Sequence, residues 1–284
     1  YFKCWYNAIT FAQSTDAGKT YTQTSPPTLV ASVPYAYDRA AGKPYGLFGP
    51  SNIIKKDNYY YSFLHTETYG AQAIGACLMR TLTPNNPSSW EFWGGNGFTH
   101  TPVNPYTDSI GNPSSHTCVP ILPNVIGKMS ESVTYNTYLK KYILVGTHQV
   151  WDSLASKTIS GFFFSLSNDL IQWSAPQLLM EAKLPWLPIA TETGIYKLYP
   201  SLLEETDSRN FELTGKEPYL YYTRKNNSVI DPNYDRDLIR RKIIFQDSTP
   251  PAPPAPICVD ADSDGFGISN TCEGLRDCND TNPA

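Results

Sequence analysis

Asn58-Tyr-Tyr-Tyr-Ser-Phe-Leu-His65 and Lys141-Tyr-Ile-Leu-Val-Gly-Thr-His148 are the two stretches on which the fold turns. Each is a short run of aromatic and branched side chains, the kind that fill a pleated surface, and each closes on a histidine. The histidines stand 83 positions apart, and downstream Trp90 and Trp173 repeat that interval. A third copy, Pro218-Tyr-Leu-Tyr-Tyr-Thr-Arg224, puts Tyr219 77 positions after Tyr142. Self-similarity at so long a period marks a chain built from repeated structural units.

Each unit reads as four strands. In the second unit strand A is expected near Glu131–Tyr135, B near Lys141–Gly146, C over Ile159–Leu166 and D over Trp173–Leu179. Polar residues, Gly, Asn, Asp and Pro bound these runs, as strand ends require. A repeated four-stranded sheet predicts an all-β chain with the blades of a β-propeller. A two-sheet sandwich also supplies many short strands, but not a long repeat with matched B strands and matched turns. Two strands before residue 30, two full blades and three strands of another make about 13, against roughly 20 for five blades. A ring of five blades, the number implied by the family resemblance given below, would therefore have its N-terminal part missing from these residues.

The turns between C and D carry their own pattern. Ser14-Thr-Asp16-Ala-Gly18-Lys-Thr-Tyr21 fits S-x-D-x-G-x-x-aromatic, and Ser167-Asn-Asp169-Leu-Ile-Gln-Trp173 is a shortened version. In such a turn Ser and Asp bond backbone N–H groups while the aromatic packs between strands, so Asp16 and Asp169 are turn staples. Over residues 1 to about 246 the chain resembles the Asp-box turns of sialidase-like propellers and the five-bladed glycoside hydrolases of families 43 and 32. That resemblance implies a substrate face formed by strand-A starts and B–C loops. On it fall Ser51, Asn52, His65, Glu67, Glu131, His148, Trp151, Asp152, Tyr199, Arg224, Asp231, Asp235 and Arg236. Where relatives carry an Asp at a strand-A start, this chain offers Asn52. Glu131 stands near the next start and Glu204 toward the end of the third.

Hydrolysis of a glycoside needs two carboxyl groups flanking the scissile bond, and Glu131 and Glu67 are the acid/base candidates. A surface glutamate at a strand end is the simpler reading of each. His65, His148, Trp151, Asp152, Tyr199 and Arg224 are the substrate-binding candidates, because rings stack on sugar faces while charged groups bond hydroxyls or an acidic substituent. His65 and His148 are repeat-equivalent, which argues equally for a shared structural role, and Arg224 equally suits a surface salt bridge. A net charge of −4 lacks the basic surplus of a nucleic-acid binder. No apolar run reaches the roughly 18 residues of a membrane span.

After Phe245 the composition changes. Thr249-Pro-Pro-Ala-Pro-Pro-Ala-Pro256 cannot form a helix or a sheet ladder, since proline fixes φ and lacks the N–H. Residues 247–257 are expected to be an extended spacer between a propeller at 1–246 and a module at 258–284. That module contains Asp260-Ala-Asp262-Ser-Asp264-Gly265-Phe266, alternate carboxylates that can fold around one hard cation. Asp260, Asp262, Asp264, the Phe266 carbonyl, Asp277 and Asp280 are its candidate ligands for Ca²⁺. The pattern resembles MopE-type metal-binding repeats and, more distantly, thrombospondin type 3 repeats. Oxygen-only ligands suit calcium rather than the copper associated with the former name. Six cysteines, none in a CxxC pair, favour disulfides, with 15 pairings open.

The expected protein is extracellular or at the cell surface, and it acts on or binds a polysaccharide. The alternative is a non-catalytic propeller that binds a glycan or neighbouring extracellular or surface proteins in a calcium-stabilised assembly.

Overall fold

A computed structural model describes residues 5–154, 156–185, 195–206, 208–209, 211–226 and 235–246. The chain divides into two units, Tyr1–Phe245 and Gln246–Ala284, and every described residue except Gln246 belongs to the first. The spacer and all six candidate calcium ligands lie outside the described residues, as does Asp231.

The described residues are almost entirely β. Short strands β1 (Tyr6–Asn7), β2 (Ile9–Thr10) and β3 (Leu29–Ala31) come first. Next come β4 (Tyr45–Phe48), β5 (Ile54–Lys56), β6 (Tyr59–Thr66), β7 (Gly75–Thr81), β8 (Glu91–Trp93) and β9 (Phe98–His100). The second repeat supplies β10 (Ser132–Asn136), β11 (Lys141–Asp152), β12 (Lys157–Ser167) and β13 (Gln177–Glu181). The third supplies β14 (Tyr196–Leu203), β15 (Leu213–Thr214), β16 (Tyr219–Lys225) and β17 (Arg236–Lys242).

Pairing follows the repeat. The first sheet contains the antiparallel run β5-β6-β7-β8, extended by β9 and, through β4 and β1, on the other side. The second runs β13-β12-β11-β10, with β15 added beyond β10. The third is β14-β16-β17, and β2 pairs with β3 in a ribbon. Strands A to D of the second repeat thus exist in the expected order, with shifted bounds. B reaches Asp152, and D begins at Gln177 because Trp173 makes only an isolated bridge to Ser167.

The strands not anticipated are β1, β4, β9 and β15. Strand A of the first repeat is split: β5 pairs with one end of β6 and β4 with the other. Between them Ser51 donates its N–H to the Phe63 carbonyl (2.7 Å), and its Oγ accepts from the Phe63 N–H (2.9 Å).

Alternation along the strands explains the stacking. Phe63 and Leu78 face one core with Leu144 and Phe163, while neighbours Leu64, Cys77 and Met79 face another with Val30 and Ala31 of the ribbon. Ile143, Val145 and Phe162 turn to the third sheet and meet Leu202, Leu220 and Tyr222. The sheets are therefore layered in chain order, each core shared by consecutive layers, as a period of two dictates for strands buried on both faces. No closed ring is formed by the described residues. Cys77 and Cys118 form a disulfide within the ribbon-side core.

Candidate functional site

The segment 119–131 crosses from the first sheet to the second and gathers four of the predicted residues. Its backbone is fastened to β7: Ala76 N–H donates to the Gly127 carbonyl (2.8 Å) and Ile121 N–H to the Ala76 carbonyl (2.8 Å). Around it stand His65 and Glu67 from the end of β6, and Glu131 and His148 at the start of β10 and along β11.

Glu131 folds back onto β11. Oε1 accepts from the Thr147 N–H (3.0 Å) and hydroxyl (2.6 Å), and Oε2 accepts from the Ser130 N–H (3.0 Å). The contact requires Gly146, since a Cβ there would lie 2.4 Å from Oε2. Although the residue keeps some exposed surface, its carboxyl is enclosed, and burial pushes its pKa up despite the three donors.

The His65 ring stacks on Phe48 at 5.3 Å, with Nδ1 3.3 Å from the Ser130 hydroxyl. Burial, reinforced by the nearby Lys128 ammonium, brings its pKa down to about 4. His148 lies edge-on to Phe163 and beside Gly127, and burial lowers its pKa too. Both imidazoles are therefore neutral near pH 7. Glu67 forms a salt bridge with Lys128 (2.7 Å).

The remaining candidates lie on other parts of the second and third layers. Trp151 and Asp152 end β11, four positions beyond the last residue that matches the first repeat, on a hairpin paired as far as Asp152 with Lys157. Trp151 shares a face with Thr147, and its indole is 66% exposed. Tyr199 is also exposed, at a β14 bulge, in a left-handed conformation (φ 56°). It lies two residues before Ser201, whose hydroxyl donates to Ser132 Oγ (3.3 Å), next to Glu131.

Arg224 is bound to Asp237 (2.6 Å), with Asn226 donating to the same carboxylate (3.0 Å) and to Asp235 (3.1 Å). The Arg224 Nε is buried without a hydrogen-bond partner. Asn52, read as a face residue, is a rivet: Nδ2 donates to the Val133 and Phe211 carbonyls (both 2.8 Å), and Oδ1 accepts from Val133 N–H (3.0 Å).

Ser130, Thr147, Lys128 and Asp237 complete these arrangements and were not singled out from the sequence. The order Ser130-Glu131 beside a strand carrying Thr147 was visible, but the strand register that joins them was not. Among the described residues no cluster of three or more His, Cys, Asp or Glu side chains is placed to hold a metal ion. Nor is any helix among them long and apolar enough to cross a membrane.

No protein-family model matches the chain. No curated protein matches it either. Solved structures do. One is the Cellvibrio cellulosa α-L-arabinanase complexed with arabinohexaose, at 11% identity and a TM-score of 0.30, over 71% of this chain and 75% of that one. A BT0996 RGII complex matches at 10% identity and a TM-score of 0.27, over 69% and 70%. A glycoside hydrolase matches at 11% identity and a TM-score of 0.27, also over 69% and 70%.

Proposed function

We propose that the first unit is a propeller-type module that engages a polysaccharide, and that it holds the glycan rather than cleaving it. The supporting observation is Trp151. A large indole kept 66% exposed at the end of a paired hairpin presents an open apolar plate, suited to the C–H face of a sugar ring. Asp152, Tyr199 and Arg224 are the proposed accompanying polar and aromatic groups, and His65 and His148 stand beside the 119–131 segment.

Binding without cleavage is favoured by how the carboxyls are used. Both Glu131 oxygens already accept from Ser130 and Thr147, and Glu67 is held by Lys128. One observation favours a second reading, hydrolysis with Glu131 as proton donor and Glu67 as its partner: burial raises the Glu131 pKa, as a general acid requires. Affinity electrophoresis against a polysaccharide panel tests the first reading. Retardation by at least one polysaccharide, lost in Trp151→Ala, is the expected result; retardation unchanged by that substitution removes Trp151 from the site.

The C-terminal segment is proposed to bind Ca²⁺ through Asp260, Asp262, Asp264, the Phe266 carbonyl, Asp277 and Asp280, on the strength of its alternating carboxylates and Gly265. A disulfide between Cys77 and Cys118 supports an oxidising, extracellular or cell-surface location. Neighbouring surface proteins are the alternative partners of the same face.

A further inference from the structure

The connection between β14 and β16 does more than join two strands. Its β15 leaves the third sheet and pairs in parallel with β10, the edge of the second. Its carbonyls are pinned one after another. Arg209 accepts from the Glu212 and Leu213 N–H groups (2.8 and 3.0 Å), and Phe211 accepts from Asn52 (2.8 Å). Glu212 accepts from the Tyr135 N–H (2.8 Å) and the Thr134 hydroxyl (3.1 Å), and Thr214 from the Thr137 N–H (2.8 Å). Two layers, the first sheet through Asn52 and the second through β10, thus hold one short stretch of backbone.

The Phe211 side chain is nevertheless left outward. Phe211 is 53% exposed, and Ile53, next to the Asn52 rivet, is 44% exposed. With Ser208, Arg209 and Glu212 they line an open depression of about 270 Å³. That is just below the roughly 300–1,000 Å³ typical of small-molecule sites. A second depression of about 230 Å³, lined by Thr137, Glu204, Thr206, Leu213, Thr214 and Gly215, has no aromatic wall. Its Glu204 carboxylate is already occupied by Gly215 N–H and the Thr206 hydroxyl.

We infer that the depression beside Phe211 is a second binding site, shaped for a single sugar ring and separate from the Trp151 hairpin. The inference rests on the carbohydrate reading of the module. Phe211 and Ile53 supply apolar surface for a ring's C–H face, while the Ser208 hydroxyl and Glu212 carboxylate supply a donor and acceptors for its hydroxyls. The pinned carbonyls of Arg209, Phe211 and Glu212 fix the backbone of the depression before a ligand arrives, so backbone ordering adds little to the cost of binding.

Saturation-transfer NMR with glucose, galactose, mannose and glucuronic acid tests it on the full chain. In the Trp151→Ala chain, which lacks the hairpin indole, at least one should still receive saturation at its ring C–H protons, with affinity weakened about fivefold when Phe211→Ala is added. The Phe211 side chain is exposed and its carbonyl carries the Asn52 contact, so the variant should keep the wild-type melting temperature. No transfer to any of the four, or transfer unaffected by Phe211→Ala, overturns the inference. Loss in Trp151→Ala alone also overturns it, while leaving the module's glycan binding intact.

Discussion

His65 and Glu131 set opposite pH demands on the folded chain. The folded-state pKa of His65 is about 4, below the usual 6.5, so the unfolded chain binds its proton first as pH falls. Its contribution is complete above about pH 6.5 and drains away towards pH 4, amounting to about 3 kcal/mol over that window. His65→Phe keeps a ring against Phe48 but cannot be protonated. Urea unfolding at pH 7 and pH 5 should therefore show a smaller loss of stability in the variant; an equal loss in both would assign the effect elsewhere. Glu131 acts the other way, because its raised pKa makes the folded chain retain a proton longer, and stability falls as pH rises past the ordinary glutamate range. Glu131→Gln turns an amide N–H₂ toward backbone donors. It should cost about 1–3 kcal/mol at pH 7 in the same assay, against no change if the carboxyl were free. His65 was legible as a candidate from the repeat, and Glu131 from its place near a strand-A start. Their environment was not, because Thr147 and Ser130 reach Glu131 only through the pairing of β10 with β11.

Among elements, the B and C strands were the most readable, since Tyr59–Thr66 and Lys141–Gly146 carry continuous apolar runs bounded by turn residues. The role of Asp169 as a turn staple was readable as well: Ser167 Oγ accepts from the Asp169 and Leu170 N–H groups (3.1 and 2.9 Å), and Asp169 Oδ1 from Ile171 and Gln172 (2.9 and 2.7 Å). What the sequence hid were strands made by tertiary context. The two residues of β15 are a strand only because β10 offers a free edge, and Gly46 in β4 looks like a turn residue when its partner is unknown. Asn52 is the joint at which these elements meet. Asn52→Ala leaves the Val133 N–H and Phe211 carbonyl without that partner, so a loss of about 2–3 kcal/mol is expected by chemical denaturation. A change under about 0.5 kcal/mol would mean water replaces the amide. The Cys77–Cys118 bridge closes a loop across a 41-residue separation, for which chain entropy predicts about 4 kcal/mol. Reduction should lower the melting temperature accordingly, and an unchanged melting curve after verified reduction would contradict it.

On the scale of the whole molecule, the layered order of ribbon and sheets follows from the central strands of the first and second sheets, which bury apolar residues on both faces, so that each of these two sheets has a neighbour on both sides. The three cores between consecutive layers show the repeat expressed as packing. The C-terminal segment is expected to act independently of them: calorimetric titration should show Ca²⁺ binding that Asp262→Asn weakens and a chelator abolishes, whereas no heat above dilution would remove the site. The central claim, a module that holds a polysaccharide without cutting it, is tested most directly by a single incubation. The full chain is mixed with the polysaccharide that retards it most, and bound glycan and new reducing ends are measured in parallel over time. Bound glycan with reducing ends at the level of a protein-free control is the expected result. A steady release of reducing ends that disappears in Glu131→Gln would contradict it and make the chain a glycosidase.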